Sequence, residues 1–134
     1  MSHDAVQAMF TADQASRSLG IEVVEVGEGR AVVSMRVRAD MVNGHDIAHG
    51  GYLFLVADTA FACACNSYGP VTVAAGAEIS FVTSAKLDDL LIATATARTR
   101  YGRNGIYDVT VHRDTPDGRT VIAEFRGRSR EVAR

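Results

Sequence analysis

The sequence has no long apolar run, no surplus of one charge, no Pro- or Ser-rich linker, no internal repeat and only two cysteines. Each absence excludes something. The apolar stretch that starts at Tyr52 falls short of the roughly 20 residues a spanning helix needs. Lys+Arg 14 against Asp+Glu 16 leaves a net charge of −2, which gives no electrostatic reason to expect nucleic acid or a membrane surface as partner. The start, MSHDAVQAMF, has neither the basic segment nor the continuous apolar core of a secretory leader, so a cytoplasmic location is expected. Cys63 and Cys65 stand two apart on an expected helix, where their side chains diverge. They read as small buried hydrophobes rather than as a disulfide. A chain of 134 residues without a linker reads as one domain, 1–134, with a modest core.

What is there divides into an α-rich first part and a β-rich second half. Ser2 to Leu19 reads as one short helix, capped by Ser2 or Asp4 and ended by Gly20. IEVVEVGEGRAVVSMRVRAD reads as a hairpin turning at Gly27–Gly29, with Ala31, Val33, Met35 and Val37 on one face. Ser34, Arg36 and Arg38 share the other face. After a loop at Ala39–Ala48, HGG opens a helix that ends near Gly69 and Pro70. Four strands are expected after it. Ala77, Ile79 and Phe81 share a face, as do Tyr107, Val109 and Val111. TPDGRT makes a hairpin turn, and Val121, Ala123 and Phe125 point inward on the last strand. Short strand-to-strand turns favour antiparallel pairing. A long apolar helix must then lie against the concave face of a curved sheet, an α+β layout.

The helix carries the chemistry. Tyr52 to Cys65 is apolar except for Asp58 and Thr59, and an unpaired buried carboxylate is costly enough to demand a purpose or a partner. Asp58 is either a general base or nucleophile in a dry pocket, or an acid satisfied by backbone or Thr59. Gly50 and Gly51 leave first-turn N–H groups unobstructed at the positive end of the helix, where they can hold a developing oxyanion. Equally, the glycines can serve close helix–sheet packing alone. His45, Asp46 and His49 precede the helix and lack a nearby thiolate or second carboxylate, which argues against a metal site. Arg98, Arg100, Arg103, Arg126, Arg128 and Arg130 fit a solvated sheet edge or a phosphate-bearing ligand.

Asn43 followed by HGGYLFLVADTAFA, with ACNSYG, GRNGIYDVTV and AEFRGRSR further on, resembles the hotdog-fold acyl-CoA thioesterases, closest to their phenylacetate-degradation (PaaI) branch. The resemblance spans about Leu19 to Arg130. It implies a long central helix wrapped by a curved six-stranded antiparallel sheet, a dimer assembled into tetramers, and hydrolysis of an aryl-acyl-CoA such as phenylacetyl-CoA or its ring-hydroxylated forms. It implies that Gly50, with Gly51 beside it, supplies the oxyanion N–H. Asp58 attacks or activates water, Asn43 positions water or thioester, and His49 shapes the site. The CoA arm runs over the segment holding Arg100, Arg103 and Asn104. No metal or redox cofactor is required. The sequence departs from the family at Ala74, where several relatives carry a hydroxyl that either Thr72 replaces or this chain does without, and at Asp88-Asp89, where Gly-Asp is frequent.

One expectation follows from length alone. Eight residues of helix separate Gly50 from Asp58, about 12 Å at 1.5 Å per residue. Both groups must approach within about 3 Å of one carbonyl, so two antiparallel copies are expected to share composite sites. The competing readings are a medium-chain acyl-CoA thioesterase and a non-catalytic acyl-CoA-binding module. A hotdog dehydratase would need a catalytic His on the helix, and none follows His49 there.

Overall fold

The computed structural model of the protein describes residues 3–132. Its N-terminal segment is two helices rather than one, α1 (His3–Thr11) and α2 (Gln14–Ser18). Asp13 makes the break: its carboxylate accepts the Ser16 N–H at 3.0 Å and caps α2. Asp4 lies inside the first turn of α1, while Ser2 falls outside the described residues. Gly20, at φ 73°, ends α2 in the left-handed conformation that favours glycine.

Strands β1 (Glu22–Gly27) and β2 (Arg30–Arg36) form the expected hairpin, with Ala31, Val33, Met35 and Val37 fully buried. Helix α3 (Gly50–Asn66) follows the loop. Ser67 Oγ donates to the Ala64 carbonyl at its end, and the Asn66 amide holds both the N–H and the carbonyl of Thr72 at 2.9 Å. That clamp launches β3 (Thr72–Phe81), which is followed by β4 (Leu90–Tyr101), β5 (Asn104–Thr115) and β6 (Gly118–Glu131). All five pairings are antiparallel in the order β1-β2-β4-β5-β6-β3, so β3 crosses to the far edge. The sheet curls around α3, giving the hotdog arrangement.

The helix is apolar nearly all round because the sheet covers most of it. Leu53, Val56, Ala57, Ala60, Phe61 and Ala64 are buried. Phe61 packs against Tyr107 and Phe125, with ring centroids 5.5 and 5.8 Å apart. The stripe left partly uncovered is Phe54, Leu55, Asp58 and Ala62, spaced at helical intervals. Asp58 therefore lies on the one side of α3 that the sheet leaves open.

One inward residue differs from expectation. A bulge pairs Val111 with Ala123 but His112 with Val121, leaving Ile122 unpaired between them. The alternation slips there, so Ile122 is fully buried and Val121 is not. At the turn before β4, Asp88 takes φ 73°, the left-handed conformation that a glycine adopts freely.

Candidate active site

The loop before α3 is closed on itself. Asn43 Oδ1 accepts the N–H groups of His45 at 2.8 Å and Ile47 at 3.4 Å, and the Asn43 N–H donates to the Ile47 carbonyl at 2.8 Å. These bonds fix the amide's orientation and leave its NH2 end without a partner among the described residues. The His49 N–H donates to the Met41 carbonyl, which sets the angle at which the chain enters the helix.

The first turn of α3 has one unpartnered donor. His49 is the N-cap, and its Nδ1 accepts the Gly51 N–H at 3.1 Å. The His49 carbonyl accepts from Tyr52 at 3.0 Å and Leu53 at 3.4 Å. Among the described residues only the Gly50 N–H of that turn is left over, at the positive end of the helix dipole. Gly50 and Asn43 line a cleft of about 330 Å³ whose other walls include Leu53, Phe81 and Val82. An apolar cleft with one free N–H and one free amide can bind a carbonyl oxygen and orient what attacks it. Gly51 and His49 act one step removed, since each satisfies the other.

Asp58 does not line that cleft. Its carboxylate has no hydrogen-bond partner among the described residues, and Thr59 does not satisfy it: the Thr59 hydroxyl bonds Ser16 Oγ at 2.8 Å. Burial, and secondarily the charge of Asp13, push the Asp58 carboxyl above the usual carboxylate range. Cys63 and Cys65 are free and buried, and burial drives both thiols up to about 12, so neither is a nucleophile near neutrality.

The residues assigned to the CoA arm gather at the opposite end of α3. Arg100 lies over the Tyr68 ring, 3.5 Å from its centroid. Arg103 and Asn104 sit at the β4–β5 turn, where the Arg103 carbonyl accepts the Glu131 N–H at 2.7 Å. Thr72 is at this end too, its hydroxyl donating to the Pro70 carbonyl at 2.9 Å. Three further arginines are engaged within the sheet: Arg98 and Arg126 both pair with Asp108, and Arg128 pairs with Glu78. Within one chain, then, Asn43, His49, Gly50 and Gly51 come together, while Asp58 and the Arg100–Asn104 group stand apart. Two residues at or near the site escaped the sequence reading in that role, Phe81 and Asp13. Only the cap pattern of an acid before a short polar helix could have pointed to Asp13.

Residues 45–119 match the thioesterase superfamily. The chain is 42% identical to the acyl-coenzyme A thioesterase PaaI of Escherichia coli (strain K12), over 98% of this chain and 94% of that protein. The solved structure of E. coli PaaI, from the phenylacetic acid degradation operon, superposes with a TM-score of 0.92 at 39% identity, covering 98% of this chain and 94% of that one. A variant of the phenylacetic acid degradation protein PaaI from Thermus thermophilus gives a TM-score of 0.82 at 32% identity, covering 90% of this chain and 100% of that one. Fold, helix entrance and sequence agree, and the chain belongs to the thioesterase superfamily.

Proposed function

We infer that the protein is a cytoplasmic acyl-coenzyme A thioesterase, one hotdog unit per chain, that hydrolyses aryl-acyl-CoA esters of the phenylacetyl-CoA type. The observation that carries this reading is the entrance of α3. A helix N–H without a partner among the described residues opens into an apolar cleft, on a chain 42% identical to a PaaI thioesterase. The substrate class comes from the relatives' place in phenylacetic acid degradation. Leu53, Phe81 and Val82 suit an aromatic acyl group.

In this reading the thioester oxygen accepts from Gly50 N–H, where negative charge builds as the carbonyl becomes tetrahedral. Asn43 orients the attacking group. Asp58 either attacks the carbonyl carbon or takes a proton from the attacking water. In the first route the C–S bond breaks, the CoA thiolate leaves, and water hydrolyses the mixed anhydride. In the second, water adds directly. Either way one water is consumed, and one free acid and one thiol are formed. A thioester is already activated, so this chemistry asks for no metal or redox group.

A homodimer with composite sites is part of the same reading. Gly50 and Asp58 are separated by about 12 Å of helix. The side of α3 bearing Phe54 is partly uncovered, and Val71, Val73 and Phe81 on and beside the edge strand β3 are exposed. Antiparallel pairing of two copies would set Asp58 of one chain against Gly50 of its partner. It would also bring Arg100, Arg103 and Asn104 towards the partner's cleft for the nucleotide end of CoA. Two such dimers make the tetramer.

The test is a panel of aryl- and alkyl-CoA esters, with free-thiol release as readout. The highest kcat/KM is expected for phenylacetyl-CoA or a ring-hydroxylated analogue. A preference for medium-chain alkyl esters would move the enzyme to that class. Tight binding without turnover would make it a binding module.

A further inference from the structure

The N-terminal helices are tied to α3 at one polar point. Ser16, 1% exposed, donates its N–H to Asp13 Oδ1 at 3.0 Å and its hydroxyl to Asp13 Oδ2 at 2.7 Å. Ser16 Oγ also lies 2.8 Å from Thr59 Oγ1, on the residue after Asp58. A short helix needs only apolar contacts to dock. Burying two hydroxyls and part of a carboxylate there is costly unless each is satisfied, as these are. Asp13 has no ion pair among the described residues, so its charge is not neutralised at this contact.

We propose that Asp13 is a positioning residue for the acid on α3: through Ser16 and Thr59 it holds α2 against that turn of the helix and sets a second carboxylate two hydrogen bonds away from the residue that follows Asp58, where its charge tunes Asp58's reactivity. This rests on Asp58 being the reactive acid. The charge of Asp13 adds to burial in making Asp58 hold its proton more tightly. An ionised carboxylate that binds protons more tightly is the better base or nucleophile. Burial is the larger cause and the charge of Asp13 the second. The ionisable groups of α3 around it, Cys63 and Cys65, are neutral thiols, and Tyr107, packed from β5, is raised by burial and by Cys65. Arg100 on β4 acts on Tyr107, and β1, β2, β3 and β6 bring no charged group that acts on Asp58.

Asp13→Asn and Asp13→Ser both keep an N-cap and remove the charge. The pH profile of kcat/KM with phenylacetyl-CoA is measured for each, beside a circular dichroism melt and the Asp58→Asn control. The acid limb is expected to move to lower pH in both variants, with a lower plateau rate and a melt close to wild type. An unmoved limb in folded variants overturns the proposal, because a cap alone cannot shift it. Failure of both to fold also overturns it and assigns Asp13 to structure. An Asp58→Asn protein that turns over normally sinks the underlying reading of the site. A dead Asp58→Asn with an unmoved Asp13 limb sinks this inference alone.

Discussion

The ring of Phe81 lies where a side chain on Gly50 would be: a Cβ built on Gly50 would stand 2.9 Å from Phe81 Cζ. An alanine at the free N–H of α3 would therefore push that ring aside. Phe81 is 56% exposed, so its ring can swing away at little energetic cost.

Gly50→Ala should therefore fold, with the N–H retained but the cleft narrowed. A fall in kcat/KM of about 10-fold or more is expected from displacing a carbonyl away from its donor. Adding Phe81→Ala should return part of the loss. Steady-state kinetics beside a thermal melt check this, and a fully active Gly50→Ala would remove the cleft from the reaction.

Asp58→Asn should lower turnover by about 10³-fold or more and raise stability near neutrality. The folded state holds the Asp58 proton more tightly than the unfolded chain does, so folding takes up a proton. The destabilisation by ionised Asp58 is absent below the ordinary carboxylate range, about 3.9 for Asp. It grows as pH rises from there through the raised folded value, and is then constant. The melting temperatures of wild type and variant should converge in acid and separate near neutrality, with the variant higher. A variant that melts lower at neutral pH would contradict the burial of an unpartnered carboxylate.

Composite sites predict complementation. Asn43→Ala and Asp58→Asn chains, each inactive as homodimers, should regain activity when co-refolded. In a mixed dimer one site carries both defects and the other carries neither. Mixed dimers that form and stay inactive would place Asn43 and Asp58 in the same site from one chain.

Gly127 is packed more tightly than Gly50. A Cβ there would meet three atoms of the Phe61 ring at 2.8 Å, and that ring is 1% exposed with no room to retreat. Gly127→Ala should cost about 1–3 kcal/mol of stability. Phe61→Leu in the same chain should recover part of it, measured by denaturant unfolding. Additive losses in the double variant would mean the two positions do not clash.

Much of this was legible in one dimension because it depends on short spacings. The largely apolar character from Tyr52, with glycines before it and Gly69-Pro70 after it, dictates a buried helix. Alternation dictates the inward sets on β2 and β5, and HGG with an acid after it points to the superfamily. What was not legible depends on distant residues meeting. The break at Asp13 that splits the expected single helix is made by a cap whose serine reaches Thr59, 43 residues away. Ile122 replaces Val121 in the core because one bulge between β5 and β6 reverses the alternation. Arginines that a pattern offers equally to a phosphate are divided by cross-strand pairing: Arg98 and Arg126 go to Asp108, Arg128 to Glu78, and Arg100 to the face of Tyr68. Two glycines opening a helix look alike in the sequence. The tertiary structure decides between them, because His49 turns its Nδ1 back onto Gly51 and leaves Gly50 the free donor.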